Sequence, residues 1–222
     1  MYPGNQIDCS TGSPPASAVP SCKVSEGASA NAGPPIGVTI SDASSARSDP
    51  PSSARFKEAM ARFATGVTVV TFDAGGEHGG LTANAFMSVS LDPMLVLVSI
   101  RKASRFCTHV RKGDHYGVSL LTGEQREICN KYAGRPFQGS ILLEEMDGIQ
   151  VVAGSLAQLV AQVVDIHEVG DHLLYIGQVR TLAIASGSDP LIYFSGEFGD
   201  FRSRTGDERQ SLRLFWPDMA VE

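Results

Sequence analysis

Gly80-Leu81-Thr82-Ala83-Asn84-Ala85-Phe86-Met87-Ser88-Val89-Ser90-Leu91-Asp92-Pro93-Met94-Leu95-Val96-Leu97-Val98-Ser99-Ile100 runs from small hydroxyl and amide residues, through Asp92-Pro93, into an apolar strand. A buried strand is built from bulky side chains. Thr82, Asn84, Ser88 and Ser90 therefore read as hydrogen-bonding groups offered to something other than protein, a surface suited to a flat polar ligand.

The rest of the chain bounds what that ligand is. With 222 residues and 42% apolar content, one well-filled domain plus an appendage is expected. A formal net charge of −6 without a basic stripe argues against nucleic acid, because phosphate binding needs clustered Lys and Arg. No apolar run reaches the ~18 to 20 residues needed to cross a bilayer, and the N-terminus has neither a basic start nor a long apolar region, so a cytoplasmic protein without a membrane partner is expected. Cys9, Cys22, Cys107 and Cys129 show no Cys-x-x-Cys spacing, which excludes a zinc ribbon. Cys107 and Cys129 are expected to be small, half-buried thiols on helices.

Residues 1–53 are crowded with Ser, Pro, Gly and Ala, carry one aromatic, Tyr2, and show no repeating apolar face; they read as a disordered tail before a domain spanning 54–202, with 203–222 as a C-terminal tail. Order starts at Ser53 as N-cap, with Phe56, Ala59, Met60 and Phe63 at helical spacing before Gly66. Val67 to Phe72 has the β-branched density of a strand, and Asp73 to Gly80 is a glycine-rich connector. Ser104 opens a second helix that is expected to hold Arg111 and Lys112 in its last turn, and Thr122-Gly123-Glu124-Gln125 is a capping box for a third. Tyr116–Leu121, Ser155–Ile166, His172–Ile184 and Leu191–Ser195 read as strands. Without regular alternation of strand and helix, these give a closed antiparallel barrel, mainly β, with short helices over its open ends.

Familiar nucleotide motifs are missing. There is no Gly-x-Gly-x-x-Gly, and Leu81 and Thr82 follow Gly80 where a phosphate-binding loop needs Lys and a hydroxyl. Ser99-Ile100-Arg101-Lys102-Ala103-Ser104-Arg105-Phe106 instead sets three cations and two hydroxyls where a strand feeds a helix N-terminus, a combination that attracts phosphate. His167 and His172 stand five apart, the wrong interval for paired ligands on one helical face, so no metal site is expected there; a hydrolase using His167, Glu168 and His172 is the weakest reading. For His172 the bare sequence supports equally a strand-end histidine held by a backbone carbonyl and a functional one.

The quoted stretch resembles the signature of the flavin reductase-like family, the FMN-binding split barrels. Phe56 to Thr71, Val169 to Val179 and Pro190 to Gly196 resemble that family's opening helix and strand and its later strands, in the same order. The resemblance implies an antiparallel split β-barrel in which Thr82, Ala83, Asn84 and Ala85 lie along the flavin ring and ribityl chain. It further implies that Ser99, Ile100, Arg101, Ser104 and Arg105 hold the flavin phosphate end. Ala85 and Phe106 depart from the hydroxyl residues common in the family, which moves the phosphate grip toward Ser104 and Arg105. Gly170-Asp171-His172 matches the family's Gly-Asp-His block, so the resemblance gives His172 a catalytic, orienting role beside the nicotinamide, supported by Asp171.

The implied activity is reduction of FMN, or of FAD, by NADH or NADPH, with reduced flavin passing to a flavin-dependent monooxygenase partner and the reductase itself a homodimer. The alternative from another class is a non-catalytic flavin carrier or sensor on the same barrel, which would not need the Gly170-Asp171-His172 block.

Overall fold

The computed structural model describes residues 51–201. The tail expected at 1–53, apart from Pro51 to Ser53, and the tail expected at 203–222 lie outside these residues, as do Cys9 and Cys22. In chain order the elements are α1 (Ser53–Ala61), β1 (Thr65–Gly66), β2 (Thr68–Asp73), β3 (His78–Ala83), β4 (Phe86–Leu91), β5 (Met94–Arg101), α2 (Arg105–His109), β6 (His115–Leu120) and, after a short 3-10 turn at Gly123–Gln125, α3 (Arg126–Tyr132). Then follow β7 (Leu143–Met146), β8 (Ile149–Val152), β9 (Ala157–Val169), β10 (His172–Ile184), β11 (Leu191–Phe194) and β12 (Glu197–Asp200).

Seven strands form one sheet in the order β3-β2-β6-β9-β10-β5-β4, and every pairing in it is antiparallel. Its edge strands, β3 and β4, are consecutive in the chain and joined by Asn84 and Ala85 alone, so the sheet curls until its edges meet at one corner. The two edges form no ladder with each other. This is the split barrel the sequence leads one to expect. A three-stranded sheet β1-β11-β12 and the hairpin β7–β8 complete the β structure of the described residues.

β2 shows why the barrel sits where it does. It is buried on both faces except at Asp73. Val70 and Phe72 enter the barrel core with Val98, Ile100, Val118, Ala161 and Val163. Val67 and Val69 turn the other way, into a second cluster with Leu121, Cys129, Val152 and Leu191. A strand gripped on two sides has no polar face to alternate with, which explains its unbroken β-branched run. The connector expected over Asp73 to Gly80 is shorter: Asp73 ends β2 and His78 opens β3, and in the turn between them Gly75 and Gly76 take φ of 82° and 89°, a region that glycine enters without steric cost.

α2 plugs one end of the barrel. Phe106 is fully buried, and its ring meets Phe72, Tyr116 and Tyr175 edge-on at centroid distances of 5.1, 5.8 and 4.9 Å. Each such pair adds about 0.5–1.5 kcal/mol to the ~1.5–3 kcal/mol of burying the ring. The helix is shorter than the sequence implies: Val110 is extended and buried, so Arg111 and Lys112 lie beyond its end. Arg111 nevertheless serves the expected purpose, because its guanidinium donates to the carbonyls of Cys107, Thr108 and Val110.

Other expectations shift by small amounts. Ser52, one residue before the expected cap, accepts the Arg55 N–H at 3.3 Å. The Phe56, Met60 and Phe63 stripe is present, but these side chains are 63%, 51% and 68% exposed. The capping box forms, with the Gln125 side chain accepting the Thr122 N–H at 3.1 Å. Cys107 and Cys129 sit on α2 and α3 as free thiols, Cys107 half-buried as expected and Cys129 fully buried. The strand expected over Ser155–Ile166 begins at Ala157 and continues to Val169, and a two-residue turn at Gly170-Asp171 leads into β10. β4, the β7–β8 hairpin and β12 were not legible in the sequence.

The barrel core is close-packed and encloses an unpartnered polar atom. The Tyr116 hydroxyl is buried without a hydrogen-bond partner and lies 2.3 Å from where a Cβ on Gly177 would stand. Gly177→Ala is therefore expected to lower stability by about 1–3 kcal/mol. Tyr116→Phe is expected to change it by less than ~1 kcal/mol, since an unpaired hydroxyl is lost, and to relieve part of the Gly177→Ala defect in the double variant. Urea denaturation of the four proteins checks this; strictly additive effects would contradict it.

Candidate functional site

The corner between β3 and β4, the end of β5 and the start of α2 enclose a cleft of about 410 Å³. Thr82 and Ala83 come from β3, Asn84 and Ala85 from the corner, Ser99, Ile100 and Arg101 from β5, and Ser104 from the cap of α2. His172 joins them because β10 pairs antiparallel with β5, setting His172 opposite Arg101. Of the residues expected at the site, Arg105 and Asp171, together with Ser88 and Ser90, are outside this lining. Arg105 is the first residue of α2, and Asp171 lies in the turn behind His172.

Roles divide by what each group touches. The Thr82 hydroxyl donates to the Cys129 carbonyl at 2.7 Å, so that side chain is already engaged with protein. Ile100 is buried in the core and offers the cleft only its backbone. The Ser99 N–H donates to the Ala85 carbonyl at 3.0 Å, tying β5 to the corner. The Asn84 side chain is exposed and makes no hydrogen bond within the described residues. Ser104 accepts the Phe106 N–H at 3.3 Å, which fixes its hydroxyl at the cleft edge. Ser88 and Ser90, which the sequence appeared to add to this surface, continue along β4 and are not among the lining residues.

Charge is uneven along the cleft. Lys102 is paired with Glu168. Among the described residues Arg101 and Arg105 form no ion pair with a carboxylate within 4.0 Å. α2 has only five residues, so its dipole is small and any anion held here depends mainly on guanidinium charge. On the neighbouring strand, beside Arg101 in the ladder, His172 Nδ1 lies 2.8 Å from Asp171 Oδ1. The hydrogen bond from His172, then that from its own backbone N–H and the nearby charges of His172 and Arg101, hold the Asp171 carboxyl below the usual range. The other candidates for a metal are engaged separately: His167 with Asp165 at 3.1 Å and Glu168 with Lys102. No group of three His, Cys, Asp or Glu side chains placed to hold a metal occurs among the described residues.

Behind β3, α3 keeps the cleft wall straight. A Cβ on Gly80 would come within 2.4 Å of the Tyr132 ring, so only glycine lets that ring lie against the strand. The Tyr132 hydroxyl is 2.7 Å from His78 Nε2, and burial lowers the pKa of that imidazole. Between α3 and the β11–β12 hairpin a second pocket of about 260 Å³ opens, sharing Thr82 and Asn84 with the first and adding Asn130, Arg135, Tyr193 and Phe198. Sequence reasoning missed these four. The capping box before α3 located that helix, but nothing in the chain order brings it against Tyr193 and Phe198.

Comparison with known proteins agrees with this geometry. Residues 60–202 match the flavin reductase like domain. An NADH-dependent flavin reductase from a Rhodococcus species is 38% identical over 157 residues, covering 68% of this chain and 88% of that protein. The reductase component of 4-hydroxyphenylacetate 3-monooxygenase from Thermus thermophilus is 37% identical over 162 residues, covering 73% of this chain and 97% of its own. Among solved structures, the flavin reductase PheA2 in its native state superposes with a TM-score of 0.66 at 39% identity, covering 69% of this chain and all of that one. The domain match over residues 60–202, together with relatives 37–38% identical over more than two thirds of the chain, shows that the chain belongs to the flavin reductase-like family.

Proposed function

We infer that this protein is an NADH- or NADPH-dependent flavin reductase that reduces FMN or FAD and supplies the reduced flavin to a flavin-dependent monooxygenase. The observation that carries this reading is the cleft itself: small walls, free amide and backbone groups along one side, unpaired guanidinium charge at one end and a histidine on the strand beside it. A flavin fits that donor set. Ala83, Ala85 and Ala103 leave room for a ring to approach the backbone, and Asn84 has both an acceptor and donors to give. Bound flavin supplies the hydride acceptor, and reduced nicotinamide the donor.

The chain's own residues supply orientation and charge. In this reading Thr82 to Ala85 present the ring edge with backbone and amide partners, the Thr82 hydroxyl being held back by α3. Arg101, with Ser104 and Arg105 beside it, meets the phosphate end. His172, steadied by Asp171, orients the carboxamide or ribose of the nicotinamide and need move no proton. We further assign the protein to the cytoplasm, where its nicotinamide donor is regenerated; no helix among the described residues is long and apolar enough to cross a membrane. A homodimer is the proposed assembly, supported by the exposed apolar side chains Met87, Val89, Leu91 and Met94 of the β4–β5 hairpin.

Turnover separates the reductase from a carrier on the same barrel. Purified protein with FMN is expected to oxidise NADH or NADPH catalytically, followed at the nicotinamide absorbance band, and stoichiometric binding without oxidation of either would favour the carrier. Asn84→Leu is expected to weaken flavin binding about tenfold, or ~1.4 kcal/mol, and unchanged affinity would move the groove elsewhere. Arg101→Ala is expected to weaken FMN about tenfold or more while leaving riboflavin, which lacks the phosphate, nearly unaffected. Equal losses for both would contradict the assigned phosphate end. His172→Ala is expected to raise KM for the nicotinamide more than KM for FMN, and equal changes would contradict its placement.

A further inference from the structure

The pocket of about 260 Å³ between α3 and the β11–β12 hairpin has a chemistry of its own. Sites that enclose a whole drug-sized ligand measure ~300–1,000 Å³, so this one takes one end of a molecule whose remainder lies elsewhere. Thr82 and Asn84 line both this pocket and the cleft, and whatever projects past Asn84 from the cleft enters it. Resting on the flavin reading above, we propose that the pocket receives the pyrimidine end of the flavin ring system and that Arg135 there favours the reduced form.

The end of α3 sets the polar groups in place. Gly134 takes φ of 79°, and the chain reverses so that the Gly134 N–H donates to the Lys131 carbonyl and the Arg135 N–H to the Asn130 carbonyl, each at 3.0 Å. With this pair of bonds a glycine in the left-handed region closes a helix, and here the closure folds Arg135 back beside Asn130. Both residues line the pocket. The Asn130 side-chain nitrogen donates to Glu127 Oε1 at 3.4 Å, which leaves its side-chain oxygen to accept from a ligand. Among the described residues Arg135 forms no ion pair with a carboxylate within 4.0 Å, and no acidic side chain is part of the lining. On the hairpin side, Tyr193 and Phe198 face each other across the β11–β12 ladder with ring centroids 5.7 Å apart, and the Arg126 guanidinium sits 5.0 Å over the Phe198 ring.

A flat ring end with an N–H flanked by two carbonyls matches that set: the guanidinium donates, the Asn130 oxygen accepts and the Asn84 amide does either. The dimethylbenzene end of the same ring system has only methyl and aryl C–H groups, and seating it here would strip water from Arg135 and Asn130 without giving them partners. Charge separates Arg135 from Arg101. When hydride passes from the nicotinamide to N5 of the flavin, the nicotinamide is left a cation and the flavin gains a negative charge shared by N1 and the C2 carbonyl, both on the pyrimidine end. A guanidinium at that end attracts charge that only the reduced form carries, whereas Arg101 meets a phosphate whose charge is the same before and after.

Anaerobic titration of the full-length protein with oxidised and with reduced FMN, together with the midpoint potential of the bound couple, tests this. Arg135→Gln, at an exposed position, is expected to weaken reduced FMN about tenfold more than oxidised FMN, which lowers the potential of the bound two-electron couple by about 30 mV. Arg135→Lys keeps the charge and is expected to keep most of the potential. Arg101→Ala is expected to weaken both forms by the same factor and leave the potential where it was. Equal losses for the two forms in Arg135→Gln, as a merely structural role at the helix end would give, or no loss in either, would overturn the proposal and leave the flavin reading standing. Wild-type protein that binds FMN in neither form would end the flavin reading itself, and the proposal with it.

Discussion

The structure depends on Phe106 seated edge-on among Phe72, Tyr116 and Tyr175. These rings come from β2, β6 and β10, three separate strands of the barrel, so burying one side chain from α2 fixes the helix against the barrel end. Ser104 and Arg105 flank that anchor in sequence and Arg101 precedes it by one tight turn, in which the Ser104 N–H donates to the Arg101 carbonyl at 2.9 Å. The cleft's positive end thus inherits its position from an apolar contact. Phe106, fully buried, gives rigidity to the residues around it.

The opposite wall follows the same logic with different groups. Thr82 gives its hydroxyl to the carbonyl of Cys129, and Gly80 lets Tyr132 lie flat on β3, so the edge strand is held from behind by α3. An edge strand is an unfinished ladder, open to whatever presents matching donors and acceptors. Held straight, small in its side chains, and turned at Asn84-Ala85 into β4, this one presents that edge along the cleft. Polar residues near the ligand and polar residues that brace the wall are therefore intermixed, and only hydrogen-bond partners tell them apart.

That intermixing explains what the sequence showed and what it hid. β2, β6, β9 and β10 were legible because their apolar runs are long and bounded by turns, and Gly170 with Asp171 marked the hairpin that delivers His172. Thr82 to Ala85, Ser99 to Arg101, Ser104 and His172 were legible as a set, and they share one cleft. Ser88 and Ser90 misled because they lie farther along β4, past the corner, and do not line the cleft. Asn130, Arg135, Tyr193 and Phe198 were hidden because they meet only through the packing of α3 against a terminal hairpin far along the chain. The short α2 was misjudged since charge at a helix end was read without the competing burial of Val110, which pulls the backbone out of the helix.

The central claim is that the split corner holds a flavin with its phosphate toward Arg101 and its ring along Thr82 to Ala85. A crystal structure of the protein with FMN tests this most directly. The account predicts the ring edge within hydrogen-bonding distance of the backbone and side chain at Asn84, the phosphate at Arg101 and Ser104, and the exposed ring face turned toward His172. Flavin seated elsewhere on the barrel, or lying in the corner with its phosphate along Thr82 to Ala85 and its ring at Arg101 and Ser104, would contradict it.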